Sequence, residues 1–136
     1  MKRIFPLFFM VTGAVIGLFF AYKGLNKHWL SPCKTFSPES TIPQDYQDLI
    51  GILCRSGYTQ MVGAIQIIAG LLLVVPKTRL AGAMLLTPVV VVIFTLHYFI
   101  DNRPEELVET GLPLVGLALI LMHDFGARLG WKNLFK

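Results

Sequence analysis

The chain has 136 residues, of which 54% are apolar and only 15% charged, with a mean hydropathy of +0.64 and a formal net charge of +4. A water-soluble domain of this size carries about 25% charged residues, so so small a share excludes an ordinary soluble fold. The basic residues flank long apolar runs and form no stripe interleaved with aromatics. That placement excludes nucleic acid as a partner and points to a lipid bilayer.

The first apolar run covers residues 4–22 and follows Lys2 and Arg3. A secretory signal peptide is the competing reading, but that needs a short apolar core and small residues at a cleavage site. This run is long enough to span, and Leu18-Phe19-Phe20-Ala21-Tyr22 offers bulky residues instead. A retained membrane helix is predicted.

The outer loop follows, residues 23–57. Its first part, Lys23 to Ser40, is polar, with turn residues at Pro32 and Pro38. Ile42, Tyr46, Leu49, Ile50 and Leu53 then recur at helical spacing. They predict a short amphipathic helix starting near Pro43, lying on the membrane surface or capping the bundle. Trp29 and Tyr58 suit the aromatic belt, and His28 reads as interfacial. Cys33 and Cys54 are the only cysteines, and both lie in this loop. On an outward-facing loop a disulfide persists. The spacing is not Cys-x-x-Cys, so a structural bond is favoured over a redox-active pair, with two free thiols as the third reading.

The second helix is predicted over 58–75, ending at Pro76-Lys77, and the third over 80–100. The block Val89 to Val92 favours strands in water. In lipid, a single segment satisfies its backbone only as a helix. Pro88 cannot donate to the Met84 carbonyl, so a kink is expected there. The fourth helix, 104–124, opens on Pro104, Glu105 and Glu106, residues suited to a first turn and to the positive end of the helix dipole. A helix lying in the interface is its alternative. The prediction is thus an all-α membrane protein, one four-transmembrane-helix bundle spanning 1–136.

Charge placement orients it. The turn Pro76-Lys77-Thr78-Arg79 is basic with no acid, the N-terminus carries Lys2 and Arg3, and the tail carries Arg128, Lys132 and Lys136. The third-to-fourth connection is net acidic. The positive-inside rule puts both termini in the cytoplasm and the long loop outside, although that loop also holds Lys23, Lys27, Lys34 and Arg55.

Small residues mark packing faces. Gly13, Gly17 and Ala21 form one stripe, and Gly63 and Gly70 another, with Gln66 on the same face. Gln66 therefore points into the bundle, either as interhelical glue or as a contact for a ligand. Thr87 and the Met84 carbonyl freed by Pro88 are its expected partners. His97 and Asp101 are spaced to pair, and Glu109 lies near the same membrane side. Gln66, His97, Asp101 and Glu109 either line one outward-facing polar cavity or are separate residues wetted at the interface. His123 and Asp124 read as interfacial at the inner end. Three histidines so dispersed make no metal site. No phosphate-binding glycine loop, nucleophile elbow or H-E-x-x-H is present, so no self-sufficient catalytic set is expected.

The segment Gly63 to Gly82 (GAIQIIAGLLLVVPKTRLAG), the helix end Tyr22-Lys23-Gly24-Leu25-Asn26-Lys27 and the late histidine His97 resemble the DoxX-like family. The resemblance covers about three of the four helices. It implies a bacterial inner-membrane bundle and an accessory or quinone-linked subunit of a membrane redox system, with a quinone as the possible cofactor and a membrane protein or a second copy as partner. The family often carries Glu where this chain has Gln66, and its outer loop is usually shorter. A transporter or binder of a small or lipid-like molecule and a purely structural subunit remain the other readings.

Overall fold

A computed structural model describes residues 4–31 and 33–129. The expectations for Lys2, Arg3, Pro32, Lys132 and Lys136 lie outside the described residues. All regular structure among the described residues is helical.

Helix α1, Ile4–Leu25, runs on through a π-helical turn, Asn26–Leu30. The polar residues after Tyr22 do not end it, as the sequence reading expected, because they are held by other elements: Lys23 pairs with Glu109. Helix α2, Gln44–Arg55, is the amphipathic loop helix. Its Tyr46 is buried and its Leu49, Ile50 and Leu53 half-buried, so it caps the other helices with its apolar face. Gly57, at φ 83°, makes the corner into helix α3, Tyr58–Val74. That left-handed conformation suits a residue without a Cβ, and the two axes meet there at 79°. Helix α4, Arg79–Leu96, passes through Pro88 and continues as a second π-helical turn, His97–Asp101. Helix α5, Pro104–Leu129, extends five residues beyond the predicted end, because Asp124 is tied into the interior and not left at the interface.

Among the described residues, three helices are long and apolar enough to cross a membrane: Ile4–Leu30, Arg79–Asp101 and Pro104–Arg128. The bent pair α2–α3 supplies a fourth when taken together. Helix α3 alone has 17 residues, about 26 Å at 1.5 Å per residue, the short end of the spanning range.

Helices α1, α3, α4 and α5 each pack on two neighbours, in the cyclic order α1–α3–α4–α5. Glycines decide the α1–α3 seam. Gly17 and Gly70 meet backbone to backbone, and a Cβ on Gly24 would come within 2.6 Å of the Gly63 carbonyl. Gly82 lets α4 approach α3 as closely, its missing Cβ standing 2.7 Å from the Ala69 carbonyl. In lipid, where apolar burial does not drive helices together, such close approach is what dispersion contacts require. Leu73, Leu86, Val90, Leu117 and Ile120 fill the centre and are fully buried. The large apolar residues left outside, among them Phe5, Leu18, Phe99 and Leu112, are those a bilayer would cover.

Candidate functional site

At the α2 end, the four helices diverge around a cavity of about 800 Å³, roofed by the loop helix. Its deep wall is apolar, from Phe20, Ile65, Val89, Val92 and Ile93. Polar residues from every surrounding element reach into it: Lys23, Lys27 and His28 from α1 and its π turn, Tyr46 from α2, Gln66 from α3, His97 from α4, and Glu106, Glu109 and Thr110 from α5.

Gln66 lies on the buried face with Gly63 and Gly70, as the spacing requires. Its surroundings differ from those expected. Thr87 spends its hydroxyl on the Ala83 carbonyl of its own helix at 2.6 Å, and Thr87 does not line the cavity. The side chain of Gln66 packs against Gly24 of α1, where a Cβ would meet its Cβ at 3.0 Å and its Oε1 at 3.3 Å. The Oε1 atom is buried and has no hydrogen-bond partner among the described residues. A buried amide oxygen without a donor costs about 1–3 kcal/mol.

His97 lines the cavity, and Asp101 stands behind it. His97 Nδ1 faces both Asp101 oxygens, at 3.0 and 3.1 Å. Arg103 Nε donates to Asp101 at 2.5 Å. Asp101, with its side chain fully buried, is thus a positioning residue and not a lining one. His97 Nε2 lies 3.5 Å from Glu106, which also meets Arg103 at 3.5 Å. Tyr46 covers the group, its ring 5.5 Å from the His97 ring and 5.4 Å from the Arg103 guanidinium. Burial first, and then the Asp101 charge, push the Tyr46 phenol up to about 12, so it stays protonated. Asp101, His97 and Glu106 thus form a line of polar groups, of which His97 and Glu106 stand at the cavity wall.

Glu109 also lines the cavity and is bound by Lys23. Lys27 and Lys34 line it too and make no ion pair among the described residues. Cys33 and Cys54 are disulfide-bonded, with Cα atoms 5.7 Å apart, and the bond holds the loop over α2, whose Cys54 reaches the cavity edge.

At the other end of the molecule Arg79 is buried. It donates from Nε and Nη2 to the two oxygens of Asp124 at 2.8 and 2.6 Å. His123 Nδ1 lies 2.8 Å from Asp124 and stacks on Phe9, with ring centroids 4.1 Å apart. Asp124 is therefore an internal anchor and not an interfacial residue.

The sequence reading missed Lys23, His28, Tyr46, Arg103 and Glu106 as cavity residues. Comparison with protein-family models, curated proteins and solved structures yields no match for this chain.

Proposed function

We propose that the chain is a DoxX-like, four-span membrane protein that binds a small amphipathic molecule of quinone type in the cavity beneath α2, serving as an accessory subunit of a membrane redox system. The observation that carries this reading is Gln66, a cavity-lining residue whose amide oxygen has no hydrogen-bond partner among the described residues, in a cavity that also carries apolar walls. Binding sites of this kind combine apolar walls with a few convergent polar groups. Here the polar groups are the Gln66 amide and the His97–Glu106 pair. With the amide turned to the cavity, a hydroquinone hydroxyl would supply the donor that Gln66 lacks, and His97 Nε2 would accept from the other hydroxyl. The DoxX-like resemblance and the four packed helices support the same reading, with both termini cytoplasmic and the cavity facing outward in a bacterial inner membrane.

One observation favours a second reading, a carrier or binder of a lipid-like molecule with an anionic head. Lys27 and Lys34 offer positive charge at the cavity without an acidic partner. Extraction of the protein purified in mild detergent, followed by mass spectrometry, separates the two. Quinone should be retained by the wild type and lost from Gln66→Leu. A fatty acid or other anionic amphiphile in its place would support the second reading and overturn the first.

A further inference from the structure

A second, almost wholly apolar groove of about 490 Å³ runs down the seam between α1 and α5. Its floor is Thr12, Ile16 and Gly116, and its rims are Val108 and Leu112 on α5. It opens toward the surface a bilayer would cover: Val108 is 65% and Leu112 72% exposed. Two of its residues, Phe19 and Glu109, also line the polar cavity. The groove and the cavity are therefore adjacent, with these two residues between them. The Lys23–Glu109 ion pair stands at that boundary, and Lys23 Nζ sits 5.4 Å from the centre of the Phe19 ring.

We propose that the ligand is a long-tailed, membrane-resident amphiphile whose head occupies the cavity and whose apolar tail lies in the α1–α5 groove, with Lys23 and Glu109 at the junction of head and tail. This rests on the binding reading above and adds the class of ligand and its route. Three features argue for it. First, the groove adjoins the cavity across Phe19 and Glu109, so a molecule that parts the Lys23–Glu109 pair would reach both. Second, the chemistry changes along that path from hydrogen-bonding groups to almost pure hydrocarbon, the polarity profile of a head with a tail. Third, α1 and α5 form the loosest of the four seams. Among glycine contacts there, a Cβ on Gly116 would meet side chains alone, the tip of Ile16 and the Thr12 methyl, whereas Gly17 and Gly70 lock α1 to α3 by backbone. A ligand arriving sideways from the bilayer would part α1 from α5 more readily than from α3.

The test compares two probes on the full-length protein in detergent and in vesicles: a tailless benzoquinone head and the same head carrying a decyl tail. Leu112→Trp and Val108→Trp fill the groove from exposed positions that support no core contact. The expected result is that the decyl probe loses about tenfold in affinity in both variants, while the tailless probe binds them as it binds the wild type. Unchanged decyl affinity in both variants, with the wild type binding both probes, would overturn the groove and leave the cavity reading standing. Failure of the wild type to bind either probe would overturn both. Glu109→Gln, which frees Lys23, should speed association of the decyl probe from vesicles severalfold. A slower or unchanged rate would remove the ion pair from the entry route.

Discussion

Replacing Gln66 separates a structural role from a binding role by sign. The residue is 3% exposed, and its Oε1 finds no protein donor. If the fold gains nothing from this oxygen, an apolar side chain of similar length removes an unmet desolvation cost. Deleting such a group recovers about 1–3 kcal/mol, less whatever packing is lost. Packing loss is smallest for Gln66→Met, because methionine is unbranched and fills the same path past Gly24. The ligand-free protein should therefore become more stable by about 1 kcal/mol. Quinone binding should weaken by about tenfold, since one hydrogen bond worth about 1.4 kcal/mol is a factor of ten in affinity. Stability is read from denaturant unfolding in mixed micelles, followed by helix signal, and binding from titration with the decyl-tailed probe. The two changes must go in opposite directions. A Gln66→Met protein less stable than wild type by 1 kcal/mol or more (an order set by measured interhelical bonds) would refute the reasoning, because it would mean that the amide already bonds within the fold.

Asp124→Ala should destabilise the protein by about 3 kcal/mol, since it leaves the buried Arg79 guanidinium without its bidentate partner. The double change Arg79→Met with Asp124→Leu should recover most of that loss, which the same unfolding assay would show. Stability should also fall as pH rises from about 10 to about 12, because the folded chain keeps the Tyr46 proton up to about 12 while the unfolded chain loses it near 10. This contribution is complete below pH 10, and Tyr46→Phe should lack that part of the slope in unfolding measured across the range. Intact protein under non-reducing mass spectrometry should weigh two hydrogens less than the reduced form. Reduction of the Cys33–Cys54 bond should cost about 3 kcal/mol in the chain-entropy view of a bond with a separation of 21 residues, and alkylation of both thiols without prior reduction would disprove the bond.

The helices were legible because lipid imposes a simple rule: a long uncharged run must satisfy its own backbone. That rule located α1, α3, α4 and α5 to within a few residues, and the Gly63–Gln66–Gly70 spacing gave the buried face of α3. The loop helix was legible from the period of Tyr46, Leu49, Ile50 and Leu53, though not which of its two expected seats it would take. The four-residue spacing of His97 and Asp101 gave their pairing, but the charged contacts between distant helices were not legible. Arg79 and Asp124 are 45 positions apart, each at a helix end where solvation is the ordinary outcome, and nothing local says that they meet. Lys23 and Glu109 are alike in this respect. Thr87 failed as a partner for a local reason, since a threonine in a helix bonds readily to the carbonyl one turn back. The sequence fixes which residues are polar within the apolar runs, but the pairing among them depends on which helices become neighbours.

That pairing gives the molecule two unequal ends and two unequal sides. At the other end, the Arg79–Asp124 pair is matched and buried, with His123 against Asp124 and stacked on Phe9. At the α2 end, charge is only partly matched: Asp101, Arg103 and Glu106 satisfy one another around His97, while Gln66 Oε1, Lys27 and Lys34 are left over. The sides differ in the same way. Where α1 meets α3, glycine lets backbone touch backbone, and separating them would sacrifice contacts along the whole seam. Where α1 meets α5, side chains and one ion pair hold the contact, and side chains can rotate aside without moving a helix. A membrane protein that had only to be stable would gain by closing both the open end and the loose side. Retaining unmatched polar groups next to a yielding seam costs stability, and a molecule that enters through that seam and completes those bonds is the economical account of why the cost is carried.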